Sequence, residues 1–326
     1  MPGGRQAGGE FSLIARHFTW PTPSADLGVG DDAALLRVTP GMQLAVSTDL
    51  LVVGTHFLDG TDPGRLGHKS LAVNLSDMAA MGARPRFATL ALALPSVDER
   101  WLAAFSAGMQ ALARLHGTEL VGGDTTRGPL SICVTILGEV PAGQALRRDG
   151  ARVGDEVWVS GTLGDAAIGL ALVTGGRAPL LDAAAAAACI QRLEAPQPRV
   201  GLGLQLRGVA SAALDVSDGF AADLGHILER SGVGARIEVE RLPASAALAP
   251  FAGDPWVRDA LLGGGDDYEL CFTAPASAAG DVVQAAARSG VPVTRVGHVV
   301  AGGGLVLVDA DGREVQPARA GFDHFG

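Results

Sequence analysis

The chain has 326 residues, a formal net charge of -10 and a hydrophobic fraction of 48%. This length favours two domains of ordinary size, the apolar content excludes a disordered chain, and the acidic balance argues against a nucleic-acid partner. No apolar run reaches the roughly 18 residues of a membrane-spanning helix, and the N-terminus has no secretory h-region. We therefore expect no membrane association and a cytoplasmic location.

The first half of the chain alternates predicted strands and helices. Apolar spacing predicts a strand, a helix that stops at Gly82, a buried strand, an amphipathic helix closed by Gly117, and two more strands around a glycine loop. These segments are, in order, 42–52, 65–83, 86–95, 98–117, 118–128 and 130–140, and the first strand is expected to end near Ser47–Asp49. Asn74 and Asp77 share a face of the first helix because they are three residues apart. The pattern indicates an α/β unit.

Residues 141–155 are rich in glycine, proline and charge and form the best linker candidate, so we place the domains at 1–145 and 146–326. The second half opens with a strand, a glycine turn and a helix, followed by an alanine run of high helix propensity. A strand that ends in acids then opens a helix, and two more strand candidates follow. These segments are 156–172, 183–188, 211–232, 261–275 and 304–312. A second α/β or α+β domain is expected.

Aspartates recur beside glycine, serine or threonine, mostly where a predicted element ends. They are Asp31, Asp32, Asp49, Asp77, Asp124, Asp215, Asp218, Asp266 and Asp267. A single acid of this kind is typical of a turn or a helix N-cap. Six such clusters in a chain with only 18% charged residues favour a site for hard cations such as Mg²⁺, which prefer oxygen ligands. Hydroxyl groups of Ser47, Thr48 and Ser217 can add neutral oxygens.

The acids carry none of the signatures of other metal or phosphate sites. No EF-hand spacing, histidine pair or clustered cysteines occur, and P-loop and protein-kinase motifs are missing. Converging carboxylates repel one another and repel a bare phosphate. The pattern therefore favours more than one divalent cation between the acids and a phosphate-bearing ligand, with metals and backbone amides in the place of a P-loop lysine.

The longer motifs resemble those of the thiamine-monophosphate kinases, which make thiamine diphosphate from thiamine monophosphate and ATP. The similar segments are GEFSLIARHF (9–18), GVGDDAALL (28–36), STDLLVVGTHF (47–57), SLAVNLSDMAAMGARP (70–85), LVGGDTTRGPLS (120–131), DVSDGFAADLGHI (215–227), GGDDYELCFT (264–273) and GFDHF (321–325). They run nearly end to end, and NLSDMAAMGA together with GGDTTRGPLS is highly specific.

This resemblance implies the two-domain α/β (α+β) fold of the aminoimidazole-ribonucleotide-synthetase-like superfamily, with the N-terminal domain pairing across a homodimer. It implies ATP, several Mg²⁺ ions and thiamine monophosphate in an acid-lined cleft. The implied metal ligands are Asp32, Ser47, Thr48, Asp49, Asp77, Asp124, Asp215 and Asp218, with Asp49, Asp77 and Asp124 catalytic through the metal. The implied nucleotide contacts are Gly123, Asp124, Arg148 and Ser217, and the implied thiamine-phosphate contacts are His56, Asp266 and Phe322.

One position departs from the family pattern, and the roles of two others are open. The family usually has glutamate at the position of Asp266, which is one methylene shorter. Arg147 lies beside Arg148, and the nucleotide contact is open between these two arginines. For Asp31, a role as a ligand and a role that only braces its turn are both open. The acceptor phosphate has a second pKa of about 6 and is mostly a dianion near neutral pH, so direct in-line transfer needs no general base.

Two alternatives remain beside the kinase. One is another ATP-dependent enzyme of the superfamily, such as aminoimidazole ribonucleotide synthetase, because a shared fold does not decide the reaction. Selenophosphate synthetases and hydrogenase-maturation relatives fit less well, since the first cysteine is Cys133 and the chain ends in GFDHFG. The other alternative is a non-catalytic nucleotide or thiamine-phosphate sensor, which predicts the loss of some metal ligands.

Overall fold

The computed structural model describes residues 9–316 and 321–322. The chain forms two compact units. The first holds the described residues up to Leu75 together with Arg84–Ala142, and the second holds Ser76–Ala83 together with the described residues from Gly143 onward. Ser76–Ala83 therefore groups with the second unit, although the sequence analysis placed it in the N-terminal domain. Mixed α/β structure in both units confirms the predicted fold class.

The first unit is built on a four-stranded sheet with the order β1-β4-β2-β3. The strands are β1 (Met42–Val52), β2 (Arg84–Leu94), β3 (Glu119–Arg127) and β4 (Ser131–Pro141). β4 pairs antiparallel with β1 and β2, whereas β2 and β3 run parallel. Alternation along β4 buries Ile132, Val134 and Ile136 on one face of the sheet. Leu44, Val46 and Leu50 of β1 stay exposed, at 44%, 57% and 54%.

The first unit has two long helices and a short N-terminal helical segment. They are α1 (Glu10–Leu13), a π-helical turn at Ile14–Phe18, α2 (Pro63–Ala80) and α3 (Glu99–His116). The Asp98 carboxylate accepts hydrogen bonds from the Arg100 and Trp101 amides at the start of α3, and Gly117 ends that helix in the left-handed conformation. Both ends of this helix confirm the sequence prediction.

A buried carboxylate ties the entry of β1 to the sheet. Glu139 of β4 accepts hydrogen bonds from the Thr39 amide and hydroxyl, both at 2.8 Å, and from Arg86 at 2.7 Å. Burial alone raises the pKa of the Glu139 carboxyl, but the bonds from Thr39 and the charge of Arg86 outweigh it and hold this pKa below its usual range. The ionised carboxylate thus fastens the segment before β1.

The second unit is built on a seven-stranded sheet with the order β11-β10-β7-β9-β5-β8-β6. Its strands are β5 (Asp155–Ser160), β6 (Ala212–Val216), β7 (Gly234–Glu238), β8 (Glu269–Pro275), β9 (Val293–Val300), β10 (Gly304–Val308) and β11 (Glu314–Val315). β10 and β7 are parallel, and the other described pairs are antiparallel. The sheet brings the C-terminal end of β6 beside the start of β8.

Six helices accompany this sheet among the described residues. They are α4 (Asp165–Thr174), α5 (Ala183–Glu194), α6 (Val200–Leu206), α7 (Phe220–Ser231), α8 (Pro255–Gly263) and α9 (Ala279–Ser289). The alanine run forms α5, as predicted, and Asp182 caps its N-terminus. Phe220, Leu224 and Ile227 put the apolar face of α7 into the core of the unit. Within the described part of the chain, no helix is long and apolar enough to cross a membrane.

Candidate active site

A cavity of about 640 Å³ lies within the first unit. Its lining comes from the N-terminal helical segment, from the GVGDD turn, and from β2 and β3. The residues lining it are Glu10, Phe11, Ile14, Phe18, Val29–Ala34, Thr89, Leu90 and Leu120–Thr125. This lining brings Asp32 together with Gly123 and Asp124, although about 90 residues separate Asp32 from the other two along the chain.

The GVGDD turn presents Asp32 while its neighbour holds the turn in shape. The Asp31 carboxylate accepts a hydrogen bond of 2.8 Å from the Asp32 amide. Leu27 and Leu35 pair across the base of the turn through a 2.9 Å backbone bond. Asp31 thus has the bracing contact that the sequence analysis considered for it, and both Asp31 and Asp32 line the cavity.

A glycine in β3 allows Asp124 to reach the same cavity. Gly123 has a φ of +145°, and a Cβ there would lie 1.8 Å from the Leu90 carbonyl oxygen of β2. The register between β2 and β3 shifts just before this point, between Ala88 and Thr89. The two glycines therefore lie beside an irregularity inside the strand that the sequence analysis placed at 118–128. The loop between β3 and β4 lies at 128–130.

Strand alternation divides the predicted ligands in β1. Ser47 and Asp49 are half-buried on one face of the sheet, whereas Thr48 is exposed on the other and its hydroxyl lies 2.8 Å from that of Thr135. The three side chains therefore do not converge, and metal binding by all of them stays a prediction. His56 lies in the turn after β1, where its Nδ1 accepts a hydrogen bond of 3.0 Å from the Val52 amide.

In the second unit two predicted metal ligands lie close together. Asp215 is the penultimate residue of β6 and is buried. Burial and the charge of nearby Asp77 raise the pKa of the Asp215 carboxyl, because both disfavour its ionised form. A divalent cation beside the two carboxylates would reverse this balance.

The turn after β6 carries Ser217 and Asp218, and a buried carboxylate fixes it. Asp223 Oδ2 accepts hydrogen bonds from the amides of Ser217, Asp218 and Gly219 at 3.0, 3.0 and 3.1 Å. Burial raises the pKa of Asp223 to about 6, although the amide bonds oppose the increase. The sequence analysis missed this residue. The available signal was an acid in the first turns of a helix that begins after Asp-Gly.

The GGGDDYE segment splits its side chains between two environments. Asp266 and Tyr268 have positive φ values of 66° and 51°, and the Tyr268 hydroxyl donates a 3.0 Å bond to Asp266 Oδ1. Asp267 and Glu269 are buried. Asp267 accepts from the Gly164 amide at 2.8 and 3.0 Å, and burial holds its pKa well above the usual value. The sequence analysis proposed a substrate contact only for Asp266.

Glu269 is the centre of a buried ion cluster that the sequence analysis also missed. Arg199 donates to it from Nε at 2.6 Å and from Nη2 at 2.5 Å, and Arg192 donates at 2.8 Å. The Ser160 hydroxyl adds a fourth bond of 2.6 Å. Its partners lie 70 to 109 positions away along the chain, so no local pattern reveals the cluster.

The structure also separates the two candidate arginines. Arg147 forms a two-point ion pair with Asp149 at 2.8 and 2.5 Å. Arg148 is exposed, and its carbonyl accepts a bond from the Ser231 hydroxyl. Because Asp149 already holds the guanidinium of Arg147, this geometry favours Arg148 as the nucleotide contact. Phe322 is half-exposed, and its amide donates to the Asp218 carbonyl at 2.9 Å.

The donor chemistry fits Mg²⁺. Among the described residues no group of three or more histidine, cysteine, aspartate or glutamate side chains is arranged to hold a metal ion. Mg²⁺, however, is commonly held by one or two carboxylates, with water and substrate phosphates completing its shell. Asp77 with Asp215 in the second unit, and Asp32 with Asp124 in the cavity of the first, are oxygen donors of that kind.

Comparisons with known proteins agree with this geometry. Residues 30–140 match the family model of the AIR synthase related protein N-terminal domain, and residues 152–310 match that of its C-terminal domain. The thiamine-monophosphate kinase of Salmonella typhimurium is 49% identical, over 97% of this chain and 98% of its own. That of Bacillus subtilis is 37% identical, over 97% and 99%.

Solved structures show the same relationship. The thiamine-monophosphate kinase of Stenotrophomonas maltophilia superposes with a TM-score of 0.84 at 49% identity, covering 93% of this chain and 95% of that one. AaThiL complexed with AMPPCP and TMP has a TM-score of 0.76 at 32% identity and covers 89% of both chains. Hydrogenase maturation protein HypE in complex with ATP, at 24% identity and a TM-score of 0.75, shares the fold. The chain belongs to the thiamine-monophosphate kinase family, built from the two domains of the AIR synthase related proteins.

Proposed function

We propose that this protein transfers the γ-phosphoryl group of ATP to thiamine monophosphate and so forms thiamine diphosphate. The observation that carries the proposal is the 49% identity to a thiamine-monophosphate kinase over 97% of the chain. The similar structure bound to AMPPCP, an ATP analogue, and to TMP supports both substrates. Every residue that the family resemblance assigns to the metal is present, which disfavours a non-catalytic sensor.

Mg²⁺ is part of this proposal. Asp32 and Asp124 in the first unit, and Asp77 and Asp215 in the second, are the carboxylates best placed to hold it. Ser47, Thr48, Asp49 and Asp218 complete the proposed ligand set. A bound Mg²⁺ supplies neutralisation of the charge on the transferred phosphoryl group.

The residues of the chain then bind and orient two anions. Arg148 is proposed to contact the nucleotide, together with Ser217 and Gly123. His56, whose ring is fixed through Nδ1 by the Val52 amide, is proposed to contact thiamine phosphate with Asp266 and Phe322. Since the acceptor phosphate is mostly a dianion near neutral pH, these residues need only align it with the γ-phosphorus and screen its charge. Direct in-line transfer without a phosphoenzyme follows.

We also propose that the protein is a homodimer that pairs through its first unit. The exposed apolar residues of the edge strand β1, Leu44, Val46 and Leu50, support this, because apolar strand surface of this extent favours association. Light scattering after size exclusion is expected to give a dimer for the wild type and a monomer for Val46→Glu. A monomeric wild type would refute the pairing. A cytoplasmic location stays a prediction.

A coupled ADP-release assay tests the function. Purified protein with ATP and Mg²⁺ is offered thiamine monophosphate, thiamine or formylglycinamidine ribonucleotide. Of the three acceptors, we expect only thiamine monophosphate to give turnover. EDTA should abolish this turnover, and excess Mg²⁺ should restore it. Turnover with the ribonucleotide would instead support the synthetase alternative. Asp49→Asn is expected to lower kcat at saturating Mg²⁺, and full activity in that variant would refute its metal role.

A further inference from the structure

The turn Ser217–Gly219 has its backbone polar groups occupied from two sides. Its three amides donate to a single oxygen, Asp223 Oδ2, at 3.0 to 3.1 Å. The Ser217 carbonyl accepts a 2.8 Å bond from the Asp266 amide, and the Asp218 carbonyl accepts a 2.9 Å bond from the Phe322 amide. The turn proposed for metal and nucleotide is thus joined by its main chain to both segments proposed for thiamine phosphate.

The Asp223 side chain closes this arrangement from inside the fold. It lies in α7 and is 5% exposed, and Gly219 at the helix N-cap has no side chain that could satisfy the turn amides. Gly219 itself has a φ of +127°, and a Cβ there would lie 2.8 Å from the Gly263 carbonyl carbon. The turn cannot easily re-form around another cap, because its own backbone is already in a conformation that only glycine adopts freely.

We propose that Asp223 is a positioning residue for the phosphoryl-transfer site. Its carboxylate fixes the turn so that Ser217 and Asp218 face nucleotide and cation while the two carbonyls hold the Asp266 and Phe322 segments. This inference rests on the function proposed above. Loss of the carboxylate releases three amides at once, and the turn then no longer holds either substrate segment in register.

Three variants and one matched control test the proposal without requiring turnover. Asp223→Ala removes the acceptor, Asp223→Glu displaces it by one methylene, and Asp223→Asn can keep one oxygen at the same place. Asp182→Ala is the control, because Asp182 caps α5 of the same unit through the Ala185 amide and does not touch the turn. The readouts are thermal unfolding, calorimetric binding of AMPPCP with Mg²⁺, and deuterium exchange of peptides covering 214–222.

We expect Asp223→Ala and Asp223→Glu to weaken AMPPCP–Mg²⁺ binding by about tenfold, a factor worth about 1.4 kcal/mol, and to speed exchange in the turn. Asp223→Asn is expected to stay within about threefold of the wild type, and Asp182→Ala to bind normally. Steady-state kinetics with thiamine monophosphate should show increased KM values for both substrates in the alanine and glutamate variants.

The outcome separates this inference from the proposed function. If a folded Asp223→Glu protein binds AMPPCP–Mg²⁺ as tightly as the wild type and protects its turn equally, the positioning role is wrong, even where Asp223→Ala fails to fold. Equal losses in Asp223→Ala and Asp182→Ala would also refute it, because the effect would then belong to general stability. Failure of the wild type to phosphorylate thiamine monophosphate would refute the function and leave the binding comparison intact.

Discussion

The buried Glu269 cluster offers the sharpest test of how the second unit is held together. Glu269 is fully buried, and the two arginines that surround it are 17% and 15% exposed. In Glu269→Gln the uncharged amide leaves both guanidinium groups without their counter-ion, and its NH₂ group points a donor at other donors. Breaking a buried ion pair from one side costs about 3–5 kcal/mol.

Unfolding measurements can resolve a change of this size. For a unit of this length each kcal/mol lowers the melting temperature by about 2–4 °C, so Glu269→Gln should melt roughly 6–20 °C below the wild type. Glu238→Gln is the matched control, because Glu238 pairs with Arg241 at 2.6 Å but both side chains are about half exposed. That pair is expected to contribute at most about 1 kcal/mol.

The expected penalty is refuted if Glu269→Gln loses no more free energy of unfolding than Glu238→Gln in urea or thermal unfolding. Such a result would mean that water or rearranged side chains solvate the arginines.

A second consequence concerns the substrate, because Glu269 begins β8 directly after the Asp266–Tyr268 bend. The folded variant should therefore show a higher KM for thiamine monophosphate than the control does.

Three further predictions follow from single contacts. Arg148→Ala is expected to raise the KM for ATP severalfold while Arg147→Ala changes it little, and a reversal of this order would assign the nucleotide to Arg147. Tyr268→Phe removes the hydroxyl that holds Asp266, so the KM for thiamine monophosphate should rise about two- to tenfold with kcat largely kept; an unchanged KM would contradict the contact. Because the folded pKa of Glu139 is lowered, its contribution to stability is present above the ordinary carboxyl pKa and is lost as the pH falls through the lowered value. Glu139→Gln should therefore unfold at lower urea than the wild type near neutral pH, the gap should close as the pH falls through the lowered pKa, and a gap that persists in acid would contradict the assignment.

The sequence predicts elements whose signals are local. α3 lies within the predicted segment 98–117 and ends at the predicted Gly117, whereas β1 continues to Val52, past its predicted end near Ser47–Asp49. Prediction from the sequence fails where pairing with other elements decides the local structure. The predicted strand 118–128 gives no sign of the register shift beside its glycine pair, which depends on the pairing with β2. The short helix α6 lacks a predicted counterpart because its glycines lower helix propensity.

The candidate site shows the same division. The carboxylates themselves are visible in the sequence, and the structure groups Asp32 with Asp124 and Asp77 with Asp215. The groups that hold them in place are not visible. Glu269 depends on arginines at least 70 positions away, which no local pattern reports.

Neighbouring acids in this sequence do not act as single clusters. Asp31 and Asp32 both line the cavity, and Asp31 also accepts a hydrogen bond from the Asp32 amide. Asp267 is buried and accepts a hydrogen bond from the Gly164 amide, whereas Asp266 accepts one from the Tyr268 hydroxyl. In both pairs one acid accepts a backbone amide, Asp31 from its neighbour and Asp267 from Gly164. Each of these bonds fixes a backbone that would otherwise have to be ordered when the substrates bind.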